Sequence, residues 1–216
     1  MVQPEVYKQI RSFRIIPVVA VNSVDAALPL ADALLSGGLP VAEITFRTEA
    51  AAEVIRLLAA ERPQLLLGAG TVLNVHDLKL AQECGARFAV APGLNLDVAR
   101  TAVDIGLPFA PGVMTPTDVE TAVSLGLRTL KYFPAEAAGG LGFLKSISAP
   151  YKHLGLQFIP TGGINLQNMA EYLGSESVLA VGGTWIAKQD TIAAGHWEKI
   201  ASNCRQACDL LSASTS

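Results

Sequence analysis

The chain has 216 residues, half of them hydrophobic and 16% charged, so a sizeable core can form without disulfides or metals. A net charge of −3 with no Lys/Arg cluster argues against a nucleic-acid surface. Cys84, Cys204 and Cys208 lack metal-ligand spacing, and neither a signal-like leader nor a membrane-length apolar run is present, so the sequence predicts a cytoplasmic protein with no membrane partner.

In chain order, a short amphipathic segment over about 4–12 comes first. Apolar runs then alternate with helical patterns. The strand candidates are 15–21, 41–46, 65–70, 88–93, 108–113, 129–134, 157–163 and 178–183. Between them lie Ala/Leu-rich segments with polar positions at helical spacing, such as 25–36, 50–61 and 77–83. Ser23, Asn74, Asn95 and Thr117 are the expected N-caps, and Gly37-Gly38, Gly85, Gly106 and Gly126 the expected exits. Strands that alternate with helices and read as continuous hydrophobic runs imply a parallel sheet buried on both faces. Eight units favour a closed (β/α)₈ barrel over a doubly wound sheet, and no linker divides residues 1–216. The expectation is one barrel domain with an extra N-terminal helix.

Barrels carry their chemistry where strands end at the C-terminal face. The run Thr129-Leu130-Lys131-Tyr132-Phe133-Pro134 has a lysine at its centre. Alternation puts Thr129, Lys131 and Phe133 on one face and Leu130 and Tyr132 on the other. An ammonium on a buried strand costs too much desolvation to be incidental packing. It is either paired with an acid or kept neutral for chemistry. In Val41-Ala42-Glu43-Ile44-Thr45-Phe46-Arg47, the same alternation groups Glu43, Thr45 and Arg47. A third run ends Gly68-Ala69-Gly70-Thr71, a glycine-rich opening with a hydroxyl at its mouth. Lysine, glutamate and arginine therefore converge on one barrel mouth. A self-satisfied Glu43–Lys131 or Glu43–Arg47 ion pair is the structural alternative, although buried pairs often add no stability over apolar replacements.

The late strands carry a second signal. Pro160-Thr161-Gly162-Gly163-Ile164 and Val181-Gly182-Gly183-Thr184-Trp185 each end in a glycine pair. Glycine lets backbone N–H groups approach an anion, and barrels frequently bind phosphate in the loops after strands seven and eight. Thr161 and Thr184 would add hydroxyl donors. His76 and His196 fall in helix-like stretches and His153 in a polar connection, none at metal spacing. No serine-hydrolase elbow or complete dinucleotide fingerprint occurs, and neither a metal nor an organic cofactor is expected. Trp185 and Trp197 read as packing residues, with Trp185 a candidate wall of the site.

Two segments resemble the family of 2-dehydro-3-deoxyphosphogluconate (KDPG) and 4-hydroxy-2-oxoglutarate (KHG) aldolases. Gly38-Leu-Pro-Val-Ala-Glu43-Ile-Thr-Phe-Arg47-Thr48 is similar to the family's glutamate segment. Gly126-Leu-Arg-Thr-Leu-Lys131-Tyr-Phe-Pro-Ala-Glu-Ala-Ala-Gly139-Gly140 is similar to its Schiff-base segment. Gly68-Ala-Gly-Thr71-Val-Leu73, Ala91-Pro92-Gly93, Pro111-Gly112 and Pro160–Ile164 follow in the family's order. The resemblance implies a class I aldolase acting on KDPG, with Schiff-base Lys131 and proton shuttle Glu43. Arg47, Thr71, Pro92 and Phe133 would surround the pyruvyl group. Thr161, Gly162, Gly163, Gly182, Gly183 and Thr184 would hold the phosphate. It also implies a homotrimer. Aldolases for 4-hydroxy-2-oxoglutarate or the phosphogalactonate epimer are the near alternatives. A sugar-phosphate isomerase using Glu43 as base, and a phosphate-binding barrel without activity, are the far ones. Tyr132 and Thr184 depart from the family's usual Phe or Leu and Ser.

Overall fold

A computed structural model describes residues 5–214, so Pro4 and the two ends of the expected 1–216 domain lie outside the described residues. Helix α1 (Glu5–Phe13) precedes β1 (Ile15–Val19), a 3₁₀ turn (Val24–Ala26) and α2 (Ala27–Ser36). Then follow β2 (Val41–Thr45), α3 (Ala51–Glu61), β3 (Leu66–Gly70), α4 (Val75–Glu83), β4 (Phe88–Val90) and α5 (Leu96–Asp104). The fifth strand is split into β5 (Phe109–Ala110) and β6 (Gly112–Val113), with α6 (Pro116–Ser124) after it. The remainder is β7 (Thr129–Tyr132), α7 (Gly140–Ser148), a second 3₁₀ turn (Ala149–Leu154), β8 (Gln157–Pro160), α8 (Met169–Leu173), β9 (Val181–Gly183), α9 (Gln189–Ala193) and α10 (Trp197–Ser214).

Every named strand pair is parallel. One sheet runs β5-β4-β3-β2-β1-β9 and a second β6-β7-β8. Bridges Phe158↔Val178 and Thr161↔Gly182 join β8 to the β9 segment. The two halves of the fifth strand serve different neighbours, β4 on one side and β7 on the other. Pro111 sits at the break, where it has no N–H to give the ladder. The result is the expected (β/α)₈ barrel with one helix added in front.

Two apolar layers hold it. Outward strand residues such as Ala42, Ile44, Ala69, Leu130 and Phe158 pack on the helices. Inward residues Ile16, Val41, Leu66, Phe88, Val90 and Ile159 fill the barrel together with Val6, Tyr7 and Ile10 of α1. The amphipathic first helix is therefore a plug: its apolar stripe closes the barrel end opposite the site. Burial, only partly offset by Thr129, pushes the Tyr7 hydroxyl's pKa far up, so it stays neutral there.

Strands such as β2 and β7 stop short of their apolar runs at the C-terminal end, because Phe46 and Phe133 already belong to turns, whereas β3 and β9 end where expected and start later. Two expected positions move. The N-cap of α6 is Thr115, not Thr117, since Pro116 suits the first helical position and Asp118 completes a capping box with Thr115. His196 lies in the connection before α10 and not inside a helix. Ser23, Asn74 and Asn95 accept hydrogen bonds from the N–H groups of the turns they start, as expected. Among the described residues no helix is long and apolar enough to cross a membrane.

Candidate active site

Strand register fixes who meets whom. Val18 of β1 is opposite Glu43 of β2, and Thr45 is opposite Gly70 of β3. Lys131 of β7 is flanked by Gly112 and Ile159. Inward alternation then aims Glu43, Thr45 and Lys131 into the barrel, at 1%, 1% and 5% exposure.

A cavity of about 140 Å³ opens above them, lined by Val18, Glu43, Thr45, Arg47, Thr71, Pro92, Lys131, Phe133, Thr161, Gly162, Gly163, Ile164, Gly183 and Thr184. Every expected site residue except Gly182 lines it. Roomier clefts, of about 400–700 Å³, lie elsewhere on the molecule. Convergence of polar groups, not size, singles this one out.

At its floor Lys131 Nζ donates to Glu43 Oε1 at 3.1 Å, and the ammonium stands 5.7 Å from the Phe133 ring centroid. Gly70 makes room for this pair, since a Cβ there would come within 2.7 Å of Glu43 Cγ. On one wall Arg47, just past β2, donates from Nε to Thr45 Oγ1 at 3.2 Å. Thr45 donates to Val19 O at 3.1 Å, and Thr48 to Val21 O at 2.7 Å, which pins the turn to the end of β1. Thr71 holds φ at +56°, a left-handed conformation uncommon outside glycine, at the mouth of β3.

The opposite wall is the loop after β8. Three successive carbonyls there face backwards into donors. Thr161 O accepts from Ala135 N at 2.8 Å and Gly162 O from Glu136 N at 3.0 Å. Gly163 O accepts from the side-chain amides of Asn165 and Asn168, at 3.2 and 3.1 Å. Among the described residues the Gly162 and Gly163 N–H groups have no protein acceptor and remain the loop's free donors. Gly163 holds φ at +85°, and a Cβ there would also press on the Glu136 side chain.

Gly182 contributes from outside the cavity. Its missing Cβ leaves space for the Thr161 side chain, and the two residues are bridged. Trp185 does not wall the site either: its ring covers Gly183 from behind, with Nε1 buried and without a hydrogen-bond partner among the described residues. Tyr132 points outward as alternation required, its hydroxyl on Gly140 O and its ring stacked on Phe143. Sequence reasoning grouped Thr45 with Glu43 and Arg47 yet left it out of the site. Val18 and Ile164 carried no polar signal that could have marked them.

Among the described residues no three His, Cys, Asp or Glu side chains assemble as metal ligands. The arrangement instead offers an amine beside a carboxylate, a guanidinium on one wall and peptide N–H groups on the other. That set can form an imine, move protons around it and bind an anion at each end of a small molecule.

The family model described as KDPG and KHG aldolase matches residues 6–203. The 2-dehydro-3-deoxy-phosphogluconate aldolase of Haemophilus influenzae is 42% identical over 207 residues, 96% of this chain and 97% of that protein. The KHG/KDPG aldolase of Escherichia coli is 40% identical over 195 residues, 90% of this chain and 91% of that one. A crystal structure of KDPG aldolase from Legionella pneumophila, with pyruvate captured as a covalent carbinolamine, superposes with a TM-score of 0.89. It is 36% identical, over 94% of this chain and 97% of that one.

Proposed function

The chain belongs to the family of KDPG and KHG aldolases, carbon–carbon lyases, and from that membership we propose that it cleaves 2-dehydro-3-deoxy-6-phosphogluconate to pyruvate and glyceraldehyde 3-phosphate through an imine on Lys131. The observation that carries this reading is the 3.1 Å Lys131–Glu43 contact at the floor of a cavity with anion donors on both walls.

The chemistry follows from the placement. The Lys131 amine, with its proton passed to Glu43, attacks the C2 ketone to give a carbinolamine. Glu43 returns a proton to the departing hydroxyl, water leaves and the iminium forms. Glu43 next takes the proton of the C4 hydroxyl, C3–C4 breaks, and its electron pair moves into the iminium to give an enamine as the aldehyde departs. Protonation at C3 and hydrolysis release pyruvate and the free lysine. Arg47 and Thr71 hold the carboxylate, Pro92 and Phe133 pack on the pyruvyl face, and the Phe133 ring keeps water from the imine. Gly162, Gly163, Gly183, Thr161 and Thr184 receive the phosphate, with Gly182 acting through Thr161.

The whole chain acts as one aldolase domain, in the cytoplasm, as a homotrimer. Free Cys84, Cys204 and Cys208 support a reducing compartment. Exposed Leu73, Leu96 and Met114, each just after a successive strand, support burial against another subunit.

The test is borohydride reduction with pyruvate present, followed by peptide mass mapping. A reduced pyruvyl adduct on Lys131, absent in Lys131→Ala, is the expected result. No adduct, with sugar-phosphate isomerisation instead, would sink the Schiff-base reading. Turnover of phosphorylated against non-phosphorylated 2-keto-3-deoxy acids and 4-hydroxy-2-oxoglutarate sets the preferred substrate.

A further inference from the structure

Thr45 is 1% exposed and its hydroxyl joins two partners: it donates to Val19 O at 3.1 Å and accepts from Arg47 Nε at 3.2 Å. A threonine hydroxyl has one hydrogen. With that hydrogen committed to the Val19 carbonyl, only lone pairs face Arg47, so the position accepts a donor and nothing else. A guanidinium has five N–H donors in a planar fork, and any of its edges can grip a carboxylate. Here the Nε–H is already held from behind. Among the described residues the two terminal nitrogens make no hydrogen bond or ion pair, and Arg47 lines the cavity. The Thr48 hydroxyl on Val21 O fixes the turn on the far side of Arg47, so its backbone is anchored at both neighbours.

We propose that Thr45 is the positioning residue that aims Arg47, taking the Nε–H so that the guanidinium meets the substrate carboxylate end-on through its two terminal nitrogens. This rests on the reading that Arg47 binds the pyruvyl carboxylate. An arginine so far out on a loop would otherwise sample many rotamers, and ordering it would weaken binding. The buried hydroxyl supplies that order before substrate arrives.

Thr45→Val removes the hydroxyl at nearly constant shape, and Thr45→Ser keeps it. Steady-state cleavage kinetics and pyruvate inhibition should show Thr45→Val raising KM and the pyruvate inhibition constant about tenfold with kcat within about threefold, as for a lost hydrogen bond to a charged group. Thr45→Ser should stay within about twofold of the parent. In an Arg47→Ala background, Thr45→Val should change kcat/KM by less than about twofold, because the two residues act as one unit. An equal loss in that background, or a drop in kcat and melting temperature with KM unchanged, overturns the proposal. Arg47→Ala with parental KM and pyruvate inhibition would instead remove its premise, the carboxylate reading itself.

Discussion

Lys131 Nζ lies 3.1 Å from Glu43 Oε1 inside the barrel, although 88 residues separate them, and their side chains are only 7% and 2% exposed. A buried pair of this kind need not add stability over apolar residues, but removing one partner leaves a charge with nothing to meet it. At 3.1 Å a proton can pass directly between the two groups, which is what the proposed imine chemistry requires.

Glu43→Gln separates the two contributions. The amide keeps the volume and can still accept from Lys131, but it can neither take nor return a proton at the imine. We expect kcat for KDPG cleavage to fall about 10²–10⁴-fold. Borohydride trapping with pyruvate should still label Lys131, only more slowly. A kcat within threefold of the parent would show that Glu43 is a structural partner.

Gly70→Ala reaches the same carboxylate by packing. The new Cβ would press on Glu43 Oε1 and Cγ and push the side chain away from its place beside Lys131. Overpacking of this kind costs about 1–3 kcal/mol. Because Glu43 must give way, activity should fall further than the stability loss explains, with Lys131 losing its short contact. Gly142→Ala is the contrasting case. Gly142 is exposed within α7 and a Cβ there meets nothing within 4 Å, so alanine should stabilise the protein by about 0.5–1 kcal/mol. Melting temperatures of the two variants should move in opposite directions.

The start of α6 carries a pH signature. Burial raises the Asp118 carboxyl, but the N–H groups of Met114 and Thr115 and the Thr115 hydroxyl outweigh it and leave its pKa below the ordinary value. A depressed folded-state pKa means stability that is present above the unfolded value, about 3.9, and lost as pH falls through the folded one. Asp118→Ala should therefore cost about 1 kcal/mol at pH 7, in the range for a lost cap. The difference between variant and parent should narrow in denaturation series taken below pH 4. A difference independent of pH would mean that the carboxylate charge does not support the cap.

The barrel was legible because buried parallel strands advertise themselves as apolar runs, and inward alternation placed Glu43 and Lys131 without any coordinates. Four things were hidden. The break at Pro111 depends on which neighbour each half-strand serves, a relation between strands and not a local pattern. Gly182 shares its spelling with Gly183, but only packing shows that it faces Thr161 while Gly183 backs onto the Trp185 ring and lines the cavity. Thr45 looked like one more β-branched strand residue, since its importance lies in which atoms its single hydroxyl joins. Val18 and Ile164 are apolar, and an apolar site wall is indistinguishable in sequence from core.

Thr184 tests whether the glycine loops read phosphate. It is exposed and lines the cavity together with Gly162, Gly163 and Gly183. With the carbonyls of Thr161, Gly162 and Gly163 all held from behind, and the Thr161 hydroxyl donating to Ile159 O at 3.4 Å, the donors left for an anion are peptide N–H groups and the Thr184 hydroxyl. Thr184→Val deletes one of those donors and keeps the shape, on a surface where such a change moves stability by less than about 0.5 kcal/mol. A lost hydrogen bond to a charged group, about 1.5–3 kcal/mol, would raise KM for the phosphorylated substrate roughly 10–100-fold. Pyruvate inhibition and turnover of the non-phosphorylated acid should stay within about twofold, since neither ligand carries a phosphate. Equal losses for both substrates would place the phosphate elsewhere and leave Thr184 a residue of the mouth alone.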